Sequence, residues 1–578
     1  MNWKTPLKFG RKRNVILSDN AKEIAAKRYF YNKVNETEWS QLAERVGNGV
    51  GGRDKDGDRF SSVINDGLFI PGGRILRNVG RNRGSLFNCY CLPIGDSREE
   101  IGELFKNALI LWGEGGGIGI NFSTLRPVGS PIKGVGGTSS GLVSFMRAVD
   151  GIAATVESGG QRRAASLGLC EVSHPEIEGF IDAKREDGAI SYFNISVGIT
   201  EQFIEAVRAK DDWSLHFNQL ESRRIPSGDL WQRIISGMHL NGDPGLLNMS
   251  NLQENNSWYF APIVGTNPCG EACLEEYGVC NLGSVVLSRF VSGSRFQWSK
   301  LEDTLRTSVR FLDSCIDVNR YTLPAVKHNA LRGRRIGVGF MGVADMLFAM
   351  KLRYGSQRAL DFMERVTKFT RNTCYDESIK LATEKGAFPA FDSTKYCKSK
   401  FIRGLSPSMR QSIRKHGVRN VTTMAMAPTG TISLLAEVTS GIEPLMYKAY
   451  IRKDRVSERI YVHPLYEKAK DEDWYVDSTD LTPEDHINMQ IAIQKYTDGA
   501  VSKTIVVPND YDVNDLSDVL LESMDDLKGV TVYREGSREG QIITPLNDVE
   551  VSDVLLRQDA SRASAEEDVV CGTGTCEI

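Results

Sequence analysis

Between Phe69 and Tyr533 the chain carries no stretch that reads as a linker. Helix-like segments alternate with short apolar runs through that whole interval, and so long an unbroken pattern demands one large α/β body. Ser97 and Glu100 form a capping box for a helix carrying Ile101, Leu104, Phe105, Ala108, Leu111 and Trp112 up to Gly113. Leu301, Leu305, Val309 and Leu312 mark a second helix that ends before Pro324, and Asp361 to Glu384 reads as a third. Gly117 to Phe122, Phe193 to Val197, Ser284 to Leu287, Val421 to Ala427 and Thr504 to Val507 read as strands. No tandem repeat of fixed period interrupts this order.

The flanks differ from the middle. Residues 1–65 read as a helical N-terminal region, 66–540 as the α/β body and 541–578 as a flexible tail. Asn20 with Glu23 caps a helix over Ala21 to Tyr31, and Thr37 caps another in which Trp39, Leu42, Ala43 and Val46 share a face. Gly47 to Asp58 is polar and glycine-rich, the composition of a connector. Past Gly540 the chain is polar and poor in aromatics, and it ends CGTGTCEI with Cys571 and Cys576 at its tip.

Charge and cysteine content narrow the function classes. Lys plus Arg is 71 against 74 Asp plus Glu, a net charge of −3, which argues against affinity built on neutralising nucleic-acid phosphates. No apolar run is long enough to span a membrane, and the start MNWKTPLKFGRKRNV lacks a signal-peptide core. Eleven cysteines in such a chain do not form a secreted disulfide scaffold, so a reducing, cytoplasmic interior is expected.

Some motifs are decoys. Gly337-Val338-Gly339-Phe340-Met341-Gly342 fits a dinucleotide fingerprint, but LRGRR precedes it and no ribose-binding acid follows, so its glycines read as tight packing. No P-loop occurs, the seven histidines are scattered, and no close C-x-x-C pair offers a zinc site, so no metal ligands are expected. Three signals carry chemistry instead. Cys571 and Cys576, four residues between them, suit a dithiol that closes and opens on a mobile tail. In Asn267-Pro268-Cys269-Gly270-Glu271, Pro and Gly fix and expose a cysteine, and an extended loop directs Asn267, Cys269 and Glu271 to one face. An amide, a thiol and a carboxylate there suit hydrogen and proton handling on a polyol, with an ordinary turn as the plain alternative. Pro428-Thr429-Gly430-Thr431-Ile432-Ser433 follows an apolar strand into a helix start, which makes an anion cradle or a plain Ser/Thr cap.

Together these residues resemble the large catalytic subunit of ribonucleotide reductase, from about Leu17 to the last residue. The resemblance implies a ten-stranded α/β barrel around a central finger loop. It implies Cys269 as the radical residue, Glu271 as the base for the 3′-hydroxyl and Asn267 as a partner of the sugar hydroxyls. Cys89 and Cys280 match the pair that reduces the 2′ position, and Cys571 and Cys576 the pair that re-reduces it. Pro428, Thr429, Gly430, Thr431 and Ile432 match the phosphate loop, and Asn88, Gly117, Pro268 and Gly270 complete the substrate contacts. Asp96, Arg126 and Lys133 sit where relatives bind a regulatory deoxynucleotide or ATP. A thioredoxin- or glutaredoxin-type reductant and a homodimer are implied as partners; neither nucleic acid nor membrane is.

The class also follows from resemblance. VSKTIVVP, LKGVTVYREGSREGQ, PGGRILRN and NFSTLRPVGSPIKGVG resemble the adenosylcobalamin-dependent enzymes, as does Cys280 eleven residues after Cys269. Tyr533 stands alone where class I subunits show two adjacent tyrosines, and no ATP-cone pattern is visible. The alternatives are a class I subunit that takes its radical from a second protein, and a non-enzymatic binding protein with a metal-bound cysteine cluster. Three features depart from the family. Gly72-Gly73-Arg74 replaces a Ser or Thr near the substrate, Arg162-Arg163-Ala164-Ala165 replaces Arg-Arg-Gly-Ala, and Cys91 and Cys273 add thiols beside the functional ones.

Overall fold

Three helices lead into the body: α1 (Asp19–Arg28), α2 (Trp39–Gly51) and α3 (Lys55–Asn65). The computed structural model describes residues 17–551 except 82–83, 133–135, 159–161, 164, 186–188, 219, 255–256, 454–457, 538–542 and 547–549. Ser18 rather than Asn20 caps α1, accepting from the Ala21 amide at 3.3 Å, and Glu38 with Gln41 rather than Thr37 caps α2. The expected connector Gly47 to Asp58 is instead largely helical, split between the end of α2 and the start of α3. Its glycines are contact points. A Cβ on Gly47 would lie 2.2 Å from the Ser61 hydroxyl, and one on Gly57 would lie 1.8 Å from the Gly52 carbonyl. Any side chain there would push the two helices apart, so the glycines serve packing, and the composition of a linker misleads.

Among the described residues, eleven strands in two sheets organise the body. They are β1 (Phe69–Pro71), β2 (Cys89–Cys91), β3 (Gly117–Asn121), β4 (Ser166–Glu171), β5 (Phe193–Ile199), β6 (Gly245–Asn248), β7 (Val279–Cys280), β8 (Leu282–Val286), β9 (Gly337–Met341), β10 (Thr504–Val507) and β11 (Gly529–Arg534). One sheet has the order β7-β2-β3-β4-β5-β6-β11-β10, with β2 to β6 mutually parallel, β7 antiparallel to β2, and β11 antiparallel to β6 but parallel to β10. A second has the order β1-β8-β9. Only Asn281 separates β7 from β8, so one segment borders both sheets. The interior strands are buried along nearly their whole length, as strands covered on both faces must be.

Val421 to Ala427 forms no continuous strand. It contributes isolated parallel bridges, Val338 with Met424 and Met426 with Val501. The physical reason is a side chain. The buried Asp498 carboxylate accepts the amides of Thr423 at 2.7 Å and Met424 at 2.8 Å, taking donors that a ladder would use. The glycines of β9 pack as the sequence suggests, since a Cβ on Gly339 would lie 2.5 Å from the Ala425 carbonyl. Around the sheets run α4 (Gly73–Asn78), α5 (Arg98–Gly113), α6 (Trp298–Val318), α7 (Gln357–Lys385) and α8 (Gly430–Ala436). Ser97 caps α5 as expected, accepting from the Glu100 amide at 3.2 Å. Part of the expected tail is ordered: Ile543–Pro545 pairs with Tyr450 to Arg452, and Val551 is fully buried. Among the described residues no helix is long and apolar enough to cross a membrane.

A short hairpin, Gly265–Thr266 paired with Cys273–Leu274, lies against β3. Its approach is extremely close, because a Cβ on Gly119 would sit 1.9 Å from the Thr266 carbonyl. Gly119→Ala is therefore expected to lower the unfolding free energy by about 1–3 kcal/mol in a urea titration. Gly102→Ala in α5, where an added Cβ meets nothing within 4 Å, should instead raise it by about 0.5–1 kcal/mol. Equal effects of the two substitutions would contradict the packing.

Candidate active site

The hairpin tip is a tight turn. The Gly270 amide donates to the Asn267 carbonyl at 3.0 Å, Pro268 enters the turn, and Gly270 takes φ +83°, a backbone region glycine occupies without strain. This overturns the extended arrangement read from the sequence. Asn267 is fully buried and folds back, its side-chain carbonyl accepting the Ala272 amide at 2.9 Å. Cys269 stands exposed at the tip, and Glu271 is buried behind it with its carbonyl held by the Ala500 amide at 2.8 Å. The amide of Asn267 nevertheless lies beside the Glu271 carboxyl, so the three residues remain one cluster.

A cavity of about 410 Å³ opens over this tip. Pro268, Cys269 and Glu271 line it together with Asn88, Cys89, Gly117 and the run Pro428 to Ile432. Cys89 and Cys280 are direct antiparallel partners of β2 and β7, which places their side chains on one face. Opposed positions of this kind fall within the Cα separation a disulfide spans. Gly117 keeps the space between them and the tip open, because a Cβ there would lie 3.2 Å from the Cys89 sulfur and 3.0 Å from Pro268 Cγ. Asn88 is fixed by its side-chain oxygen, which accepts the Arg74 amide at 3.3 Å.

On the other wall, Thr429 takes a left-handed φ of +55° and its hydroxyl accepts the Gly441 amide at 2.7 Å. The chain then enters α8 at Gly430, and an α-helix start carries N–H groups that lack an intrahelical acceptor. That wall can receive an anion.

Burial sets the electrostatics. It pushes Glu271 up to about 7, the Asn267 amide pulling the other way, and one carboxyl oxygen has no hydrogen-bond partner among the described residues. The Asn267 side-chain nitrogen is likewise unmatched. Burial also drives Cys280 well above the ordinary thiol range, reinforced by Cys89, Glu271 and Cys269. Cys280 therefore holds its proton at neutral pH, Glu271 is poised to exchange one there, and polar atoms of the cluster still want partners.

Cys269 and Pro268 also line a second cavity of about 360 Å³, with Gly270, Asn194, Ser196, Glu443, Lys503, Thr531 and Tyr533. Lys503 is buried, hydrogen-bonded to Glu443 and at 2.8 Å to His486 Nδ1, and burial lowers its affinity for a proton. The thiol of Cys269 thus stands between two cavities.

Most of the sequence-predicted site residues meet here. Cys280 is covered, Asn267 lies behind the turn, and Gly270 faces the second cavity. Asp96 and Arg126 line neither cavity and pair with each other at 2.8 Å. Lys133, Cys571 and Cys576 lie outside the described residues. Cys91 and Cys273 are buried among apolar neighbours, where thiols act as small fillers. Sequence reasoning missed Arg28, Arg77, Ser284 and Lys503, all cavity-lining. Arg77 lies in PGGRILRN and Lys503 in VSKTIVVP, stretches read only for the enzyme class, and the four are brought in by different parts of the chain. Arg74 was noted only as a departure, yet it lines the first cavity and donates to the Gly115 carbonyl.

Residues 87–533 match the family model described as "Ribonucleotide reductase, barrel domain". A protein of Mycobacterium tuberculosis named vitamin B12-dependent ribonucleoside-diphosphate reductase is 35% identical over 84% of this chain and 73% of its own length. One of the same name from Thermoplasma acidophilum is 32% identical over 90% of this chain and 72% of its length. The ribonucleoside-diphosphate reductase subunit alpha of Chlamydia pneumoniae is 27% identical over 70% of this chain and 45% of its length.

The buried Glu271 generates a stability prediction that needs no substrate. Its proton affinity is raised on folding, from an ordinary value of 4.5 to about 7, so its contribution is fully present below pH 4.5 and is lost as pH rises through 7. Urea unfolding between pH 5 and 9 should show the wild type losing up to about 3 kcal/mol relative to Glu271→Gln. A constant difference between the two across that range would contradict the assignment.

Proposed function

Because the chain belongs to the ribonucleotide reductase family, we propose that it is an adenosylcobalamin-dependent enzyme reducing ribonucleoside diphosphates through a thiyl radical on Cys269. The observation that carries this reading is Cys269 itself, exposed on a turn between two cavities with the Cys89 and Cys280 pair beside it. The ten-stranded barrel is supported by the two sheets sharing the β7–β8 segment and by the bridges that continue from β9 through Met424 and Met426 to Val501. The hairpin tip is then its finger loop.

The first cavity is the substrate site. The run Pro428 to Ile432 holds the phosphates by backbone N–H and hydroxyl groups, and the ribose lies against the tip. The unmatched Asn267 nitrogen and Glu271 oxygen supply partners for its 2′ and 3′ hydroxyls.

The second cavity fits the nucleoside end of the cofactor. Its volume is of that order and too small for a corrin, and Asn194, Ser196, Glu443 and Thr531 offer partners for sugar hydroxyls. When bound, adenosylcobalamin supplies a one-electron oxidation of the Cys269 thiol by homolysis of its cobalt–carbon bond.

The protein's own residues do the rest. The Cys269 sulfur removes the 3′-hydrogen atom while the Glu271 carboxylate takes the 3′-hydroxyl proton. A value near 7 matches that group to its task at neutral pH. One of the Cys89 and Cys280 thiols gives the proton with which the 2′-hydroxyl leaves as water, and the other gives the hydrogen that replaces it on C2′. The pair supplies two electrons by closing to a disulfide, while Glu271 returns its proton to the 3′-oxygen. Cys269 then returns the hydrogen to the 3′ carbon. Burial of Cys280 and Glu271 excludes water from these steps. Cys571 and Cys576 re-reduce the disulfide and pass the oxidation to a thioredoxin- or glutaredoxin-type protein. A homodimer and a nucleotide effector near Asp96, Arg126 and Lys133 complete the proposal, in a cytoplasmic setting.

Deoxynucleotide formation by the purified chain with a small dithiol tests it. Product should appear only with adenosylcobalamin, and Cys269→Ser should lower kcat at least 10⁴-fold, on the order expected for loss of an essential reacting group. Product without cobalamin, or turnover by Cys269→Ser, overturns the reading. Cys571→Ser should abolish turnover with a protein reductant and retain it with the dithiol. Equal loss with both reductants would remove the shuttle role.

A further inference from the structure

We propose that Arg28 and Arg77 read the terminal phosphate of the substrate and so set the preference for a nucleoside diphosphate over a monophosphate. The inference rests on the reading of the first cavity as the ribonucleotide site. Three guanidiniums line that cavity, from Arg28, Arg74 and Arg77. Arg74 is already committed to the Gly115 carbonyl. Among the described residues Arg28 and Arg77 form no ion pair, although both lie in a region where other arginines are paired.

The two come from different elements and are brought to one rim. Arg28 ends α1, and Arg77 lies one turn beyond Arg74 on the same face of α4. α1 is fixed at both ends. The Tyr29 carbonyl accepts from Arg81 at 2.6 Å and from Arg45 at 3.3 Å, and the Ser18 hydroxyl bonds to Glu437 at the end of α8. The start of α1 is thus bonded at the end of α8, and the two helices pack together. Arg28, at the other end of α1, lines the cavity beside Gly430 and Thr431, where α8 begins. Positive charge is in excess here: burial, Arg45 and Arg77 together lower Arg81 to about 10, with Glu36 the main opposing charge.

The cavity is polar along its length. Glu271 and the thiols lie at one end, and the cradle at Pro428 to Ile432 brings donors without side-chain charge. Arg74 lies toward the thiol end, its backbone amide bonded to Asn88 beside Cys89. Arg77 is one turn farther out, and Arg28 is exposed at the rim. A ribonucleotide with its sugar at Cys269 extends its phosphates toward that rim. A monophosphate satisfies the cradle alone, whereas a diphosphate adds an oxyanion that guanidiniums grip by paired N–H···O bonds.

Equilibrium dialysis of the full chain with cytidine mono- and diphosphate tests this without the cofactor, and kcat/KM for both in the loaded enzyme gives a second readout. The wild type should prefer the diphosphate. The double variant Arg28→Ala/Arg77→Ala should lose that preference at least tenfold in both measurements, and Arg28→Lys/Arg77→Lys should keep most of it. A preference within twofold of wild type in the alanine variant overturns the inference, as does equal weakening of both ligands. Binding of neither nucleotide by the wild type overturns the ribonucleotide reading of the cavity, and this inference with it.

Discussion

The hairpin that carries Cys269 fits into the body only because the surfaces it meets lack side chains. Gly119 yields to the Thr266 carbonyl, Gly117 to Pro268, and Gly499 to the Glu271 carbonyl, which a Cβ would approach at 3.1 Å. Main chain thus meets main chain on both sides of the loop. Steric contact of this kind is steep in energy, so the tip has one place to sit, and the thiol is positioned by exclusion rather than by attraction.

Behind the hairpin a polar knot replaces regular sheet. Asp498 takes the amides of Thr423 and Met424 and the Tyr375 hydroxyl, while Lys528 donates to the carbonyls of Asp498 and Gly499. The next residue, Ala500, holds Glu271. Buried charges are tolerated only when their hydrogen-bonding capacity is met, and here that requirement ties three separate segments to the base of the loop. The same burial that raises Glu271 leaves its free oxygen and the Asn267 nitrogen without partners. A dry, incompletely satisfied pocket stores demand for a ligand with hydroxyl groups, and it strengthens every charge interaction formed within it.

Local sequence was a good guide where local physics rules. Ser97 and Glu100 cap α5, Thr504–Val507 is the strand its pattern predicts, and the 357–385 helix nearly matches its apolar periodicity. It misled where glycine does two jobs. The Gly47 to Asp58 run reads as a connector because glycine is common in loops, yet its glycines are helix contact points that only the partner helix reveals. Val421 to Ala427 carries a strand's apolar pattern but loses its ladder to Asp498, a residue more than seventy positions away.

The candidate site divides along the same line. The motifs around Cys269, Cys89, Cys280 and Pro428 to Ile432 are short and chemically distinctive, so the sequence alone determined the family and named most of the residues that the proposed site uses. Tertiary structure decided the rest: that Asn267 turns inward, that Cys269 faces two cavities, and that Arg28 and Arg77 reach the rim of one of them. The reason is range. Turn chemistry and thiol spacing act over a few residues and are written in order along the chain. Cavities, burial and charge balance arise from segments hundreds of positions apart, and only the packed body brings those into contact.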